Sequence, residues 1–243
     1  MHFDLLIVLA VFVVAILYSS VGHGGGSGYL AVMAFFSIAP EITKPTALTL
    51  NLFVSAIAFA QFWRKGHFGT RIFLSFAVTS IPASFVGGLI NLPISYYKVL
   101  LGLVLLFAAV RLAWNMSGQT DEEKDVRLPM ALGIGALIGL TSGLIGVGGG
   151  IFLTPILVLT GWANPKRAAG ISALFIFVNS AAGLAGSFQK ASALTSNVAI
   201  WIGVAIIGGL IGSTLGASYF NSIWLRRSLS VVLIGAGLKL LLV

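Results

Sequence analysis

Long apolar runs separated by short polar punctuation make up almost the whole chain. Reading from one charge or turn signal to the next gives segments at 3–20, 26–40, 45–63, 70–91 and 96–115, then 129–145, 151–162, 168–188, 195–220 and 226–243. Several reach the roughly 20 residues that a helix needs to cross a hydrocarbon core. Almost no water-exposed length separates them, so the pattern predicts helices packed side by side in a bilayer: an all-α polytopic membrane protein. Composition points the same way. Hydrophobic residues fill 58% of the 243 positions, charged residues 8%, and mean hydropathy is +1.06, which excludes a water-soluble globular domain. Met1 to Asp4 lacks the basic flank of a signal peptide and leads straight into Leu5–Tyr18, so the first run is expected to be a retained helix.

The pattern also repeats. Val21-Gly22-His23-Gly24-Gly25-Gly26 recurs as Ile145-Gly146-Val147-Gly148-Gly149-Gly150, an offset of 124 residues, about half the chain. Each copy follows one apolar helix, precedes a short apolar segment and then meets Lys/Pro punctuation, Thr43-Lys44-Pro45 or Asn164-Pro165-Lys166-Arg167. Two homologous halves of about five segments each are expected, 1–116 and 129–243, joined by a polar cytoplasmic linker at 117–128 that holds Asp121, Glu122, Glu123, Lys124 and Asp125.

Charge then sets the topology. The net charge of +8 comes from Lys and Arg placed singly or in pairs at the ends of apolar runs, a topology signal and not a nucleic-acid surface. Segments two and seven are short and either cross or re-enter. If all ten segments cross, one face collects Arg64, Lys65, Arg71, Arg111, Lys124, Arg127, Lys166, Arg167, Arg226 and Arg227, and the other keeps Lys44, Lys98, Lys190 and Lys239. If segments two and seven re-enter instead, the fourteen basic residues divide seven and seven. The positive-inside rule favours ten crossings, both termini outside the cytoplasm, and halves inserted in opposite orientation: an inverted repeat with segments two and seven as its short broken or re-entrant members.

Three glycines in a row each cost a helix interior roughly 1 kcal/mol relative to Ala, so helices are expected to break at Gly24, Gly25 and Gly26 and at Gly148, Gly149 and Gly150. Unwound backbone at membrane depth offers N–H groups beside a helix N-terminus, a setting that attracts anions. Paired breaks in matching places of two halves point to a transport site. His23, replaced by Val147 in the second copy, can hydrogen-bond an oxyanion or titrate near neutral pH, and Ser27 follows the first break. The helices beyond the short segments add Thr46, Thr49 and Asn51 in the first half, Ser172 and Asn179 in the second. Their hydroxyl and amide groups can hold an anion without a buried charge. Gln61 and Gln189 are further candidates as gate or interface residues.

The acids are Asp4, Glu41, Asp121, Glu122, Glu123 and Asp125, all in termini, loops or linker, and there is no cysteine. That inventory speaks against a carboxylate-based cation site, a thiolate metal site and a membrane enzyme built on clustered acids. The expectation is therefore a transporter with no cofactor and no metal. A non-transporting subunit of a membrane complex and, further off, a membrane-embedded enzyme are the alternatives. The partners are a small anion, the lipid bilayer and, as an open option, a second copy in a homodimer; nucleic acid is not among them.

A Gly-rich loop, a short apolar segment and a helix beginning near Ala47–Asn51 or Ala169–Ala173, repeated twice, resembles the sulfite exporter TauE/SafE family over nearly the whole chain. The most family-like stretch runs Gly146-Val147-Gly148-Gly149-Gly150-Ile151-Phe152-Leu153-Thr154-Pro155; the first copy departs from it at His23 and Ala31. The resemblance implies a multi-pass protein of the bacterial inner membrane that exports sulfite, an organosulfonate or a related sulfur-containing anion.

Overall fold

The computed structural model describes residues 2–113, 124–187, 196–218 and 223–242. They form ten helices: α1 (His2–Ser19), α2 (Gly26–Phe35), α3 (Pro40–Arg64), α4 (Thr70–Leu89), α5 (Ile94–Ala113), α6 (Leu128–Ile145), α7 (Gly150–Leu159), α8 (Pro165–Gly186), α9 (Ser196–Ser218) and α10 (Ile223–Leu242). Five of them, α3, α4, α6, α8 and α9, contain stretches long and apolar enough to cross a membrane. Most of the polar linker and Gln189 lie outside the described residues.

Ten full crossings do not survive. At ten residues each, α2 and α7 extend about 15 Å, half the thickness of a hydrocarbon core of about 30 Å. Each instead turns back beside the helix before it. Gly28 on α2 faces Val14 and Tyr18 of α1, and the Tyr18 hydroxyl lies 2.8 Å from Ser27 Oγ. Gly149, at the start of α7, faces Ile138 of α6. A hairpin that enters and leaves on one side puts every later charged loop on the same face as two crossings would, so the charge argument cannot tell the two apart.

Two helices also begin earlier than their apolar runs. Pro40 and Pro165 open α3 and α8, where a residue with no N–H to satisfy and a preset φ is at home. The Asn164 side chain caps α8 by accepting the Arg167 N–H at 3.0 Å. The Lys/Pro punctuation therefore lies inside the first turns of helices and not ahead of them.

Packing interleaves the halves. On α6, Gly135, Gly139 and Gly143 face the carbonyl oxygens of Phe76, Ser80 and Ser84 on α4; on α9, Gly208, Gly212 and Gly216 face those of Phe12, Ile16 and Ser20 on α1. Both pairs run parallel at close approach, which glycine permits where no hydrophobic effect drives helices together. The α3 and α8 helices run antiparallel, Leu48 beside Gly183 and Phe62 beside Gly170. So do α5 and α10, with Gly102 beside Leu241 and Leu106 beside Gly237. Exchanging α1–α5 for α6–α10 carries these pairings onto one another and returns α3/α8 and α5/α10 to themselves. One apolar core is built from α4, α6, α7 and α8; the other draws mainly on α1, α2, α3 and α9 with the α5/α10 pair.

The two ends of the bundle differ in charge. At one, the Lys124 N–H donates to the Gly161 carbonyl at 2.8 Å, the Arg167 guanidinium faces Gly69, and burial together with the charges of Lys166 and Lys65 holds His67 below its usual pKa. The opposite end holds Lys44, beside the last turn of α4, and Lys239, beside the end of α2.

Candidate functional site

The tips of the two hairpins are built from glycines that only glycine's freedom permits. Gly22 and Gly25 in the first, and Gly146, Gly148 and Gly149 in the second, have φ between +75° and +99°. A side chain there would strain the backbone, so the helices break at these points. Both tips are buried, and they meet. A Cβ on Gly24 would lie 2.7 Å from Asn51 Oδ1 and 2.9 Å from Ile176 Cγ2; on Gly148 it would lie 2.7 Å from Asn51 Nδ2 and 2.8 Å from the same Ile176 Cγ2. Two glycines matched by the 124-residue offset thus rest on the same two side chains, one from α3 and one from α8. Both short helices begin here, with Gly25 and Gly149 as N-caps and no side-chain cap on either. Each N-terminus contributes roughly half a positive charge, and the two converge.

A chain of polar groups crosses the same region. His23 Nε2 lies 2.8 Å from Thr154 Oγ1, and Thr154 Oγ1 donates to Ser172 Oγ at 2.8 Å. A threonine hydroxyl has one hydrogen. Spending it on Ser172 makes Thr154 the acceptor from His23, so the imidazole carries its proton on Nε2. The matching positions in the other half are Val147, Leu30 and, with α8 starting 125 residues after α3, Ala47, all apolar and all buried. The departure at His23 is therefore one member of a three-residue difference, and only one side of the site is polar.

Of the expected residues, His23, Gly24, Gly26, Gly148, Gly150, Asn51 and Ser172 come together. Gly26 faces the Val147 carbonyl and Asn51 Nδ2, and Gly150 faces Ile176 and His23. Gly25 and Gly149 shape the turns, backing onto Tyr29 and Phe175. Ser27 pairs with Tyr18, and Thr49 is half-buried and donates to the Pro45 carbonyl at 2.8 Å, so neither reaches the meeting point. Thr46 and Asn179 are fully buried; Asn179 Nδ2 donates to the Phe175 carbonyl at 2.8 Å. Three further residues belong in the account. Thr154 links the chain, Ser180 places its Oγ 3.1 Å from the Gly148 Cβ position, and Lys44 is the one buried Lys or Arg among the described residues with placed side chains, with its Nζ 3.4 Å from both the Gly87 and Gly88 carbonyls. Thr154 sits inside an apolar run with no neighbouring polar signal, Ser180 follows the candidate Asn179 but reads as an ordinary helix hydroxyl, and Lys44 reads as an end-of-helix charge until its burial is seen.

The sequence pattern of the sulfite exporter TauE/SafE family matches residues 7–240. The chain belongs to that family. A probable membrane transporter protein, y4hK, of Sinorhizobium fredii is 40% identical over 237 residues, 96% of each chain. A second, MJ0441 of Methanocaldococcus jannaschii, is 28% identical over 190 residues, 74% of this chain and 70% of its own length. No solved structure matches. Family membership and the five apolar helices make this TauE/SafE protein a multi-pass membrane transporter, and the meeting point of its two hairpins is the place where its halves share a buried polar cluster.

Proposed function

We propose that the chain exports sulfite, an organosulfonate or a related sulfur-containing anion through a midplane site where the two hairpin tips meet. The observation that carries this reading is the convergence of two uncapped helix N-termini on Asn51 and Ile176, with hydroxyls and an imidazole alongside. Such a site offers donors and partial positive charge. Both described acids with placed side chains, Glu41 and Asp125, are exposed.

The halves form an inverted repeat on this reading. Equivalent helices α3 and α8 run antiparallel, so an axis relating the halves lies across the helices, in the membrane plane. The end carrying Lys65, Lys124, Lys166 and Arg167 faces the cytoplasm by the positive-inside rule, and both chain ends face outward from the bacterial inner membrane. Alternating access comes from rocking of the α1–α2–α3–α9 body against α4–α6–α7–α8, which meet at the tips. An inside-negative potential drives a monoanion outward by about 2.3 kcal/mol per 100 mV.

Uptake of labelled sulfite into proteoliposomes tests the site. Gly24→Val and Gly148→Val, each driving carbons into Asn51 and Ile176, should abolish it, while Gly133→Ala, with nothing within 4 Å, should leave it intact. Undiminished uptake in both valine variants would overturn the assignment.

A further inference from the structure

We infer that the site selects anions that carry a hydrogen-bond donor of their own, and that Asn51 Oδ1 is the atom that reads it. The inference rests on the transport site proposed above and names the substrate class within it.

The argument starts from the orientation of one amide. Asn51 is fully buried, and its Nδ2 donates to the Val147 carbonyl at 3.2 Å. A carbonyl only accepts, so the amide cannot be turned the other way round. Its Oδ1 therefore faces Gly24, and it accepts no hydrogen bond among the described residues. An acceptor-only oxygen, buried and unpaired, stands in the shell where two helix N-termini favour negative charge. A ligand that donates to it offsets the cost of its desolvation.

A fully deprotonated oxyanion would set lone pair against lone pair at this atom. A hydrogen-oxyanion, or a sulfonate with a hydroxyl or amino group, would place its charge toward the helix N-termini and its O–H or N–H on Asn51. The Ser180 hydroxyl, buried beside Gly148 and also without a hydrogen-bond partner among the described residues, can serve either end because it both donates and accepts. The charge count agrees: two half-charges from helix dipoles balance one negative charge, not two.

A matched pair of competitors tests this in proteoliposomes holding the full chain. Ethanesulfonate and 2-hydroxyethanesulfonate are both permanent monoanions of similar size, and only the second has a donor. The hydroxylated compound should inhibit labelled sulfite uptake at about one tenth the concentration of the other, the factor expected for leaving one buried acceptor unmet. Sulfate and thiosulfate should inhibit less than either. In Asn51→Leu, or in Asn51→Ser if the first variant does not reach the membrane, the ratio between the two sulfonates should fall toward one. Equal inhibition by the pair in the unsubstituted protein overturns donor selection while leaving the anion site standing. An unchanged ratio in the Asn51 variants removes Asn51 as the reader. If neither sulfonate nor sulfite is transported, it is the proposed function that fails.

Discussion

Gly139 faces the Ser80 carbonyl with no space for a methyl group, and Gly143 meets the Ser84 carbonyl in the same way. Adding atoms here forces α6 off α4 or bends one of them, a cost of about 1–3 kcal/mol for overpacking. Gly139→Ala should therefore lower the thermal unfolding midpoint in detergent by about 5 °C. Gly133→Ala, on the same helix but open to its surroundings, should keep or raise it. Equal midpoints for the two would mean that the seam is looser than described. At this scale the sequence is partly legible. A triple glycine announces a break because its cost in a helix is intrinsic, and Asn51 stands out as an amide in an apolar run. Thr154, Ser180 and the burial of Lys44 become visible only when another element is placed against them, since a hydroxyl in an apolar run can always bond its own helix.

Among the elements, α2 shows how a distant helix can tune the site. Lys239 on α10 donates to the Ala34 and Phe35 carbonyls at 3.2 and 2.7 Å and to Ser37 Oγ at 2.9 Å, accounting for all three ammonium hydrogens. It caps the C-terminal end of the helix whose N-terminus opens on Asn51, so its charge stabilises the dipole that points at the anion. Lys239→Met should cost about 1–2 kcal/mol of stability and raise the apparent KM for anion uptake more than it lowers the maximal rate. A change in neither quantity would show α2 to be held by packing alone. Apolar runs located most helices within a few residues, because a bilayer leaves little choice of what an apolar run can become. The apolar runs start at 45 and 168 while α3 and α8 start at Pro40 and Pro165, because Pro opens a helix as readily as it interrupts one.

For the molecule as a whole, the decisive difference is between ten crossings and two buried hairpins, and counting charges is blind to it. The absence of cysteine from the sequence makes the difference measurable, since single thiols can be placed on a silent background. Lys65→Cys should react with a membrane-impermeant maleimide from the cytoplasmic side, and Glu41→Cys from the outside, because both side chains are exposed at opposite ends of α3. Val21→Cys, in the first tip between α1 and α2, should react from neither side in the resting protein and react once the protein is unfolded in denaturant. If ten helices crossed, position 21 would lie in a cytoplasmic loop and label as readily as position 65. The tip's protection follows from its neighbours: Gly22 is pressed against Ala169 of α8, and Gly24 against Asn51, the twelfth residue of α3. Substrate that enters between the bodies must separate these contacts. Labelling at position 21 that rises when sulfite is added would therefore tie the hairpin's opening to the transport cycle, and labelling unaffected by sulfite at saturating transport would place the moving contact elsewhere.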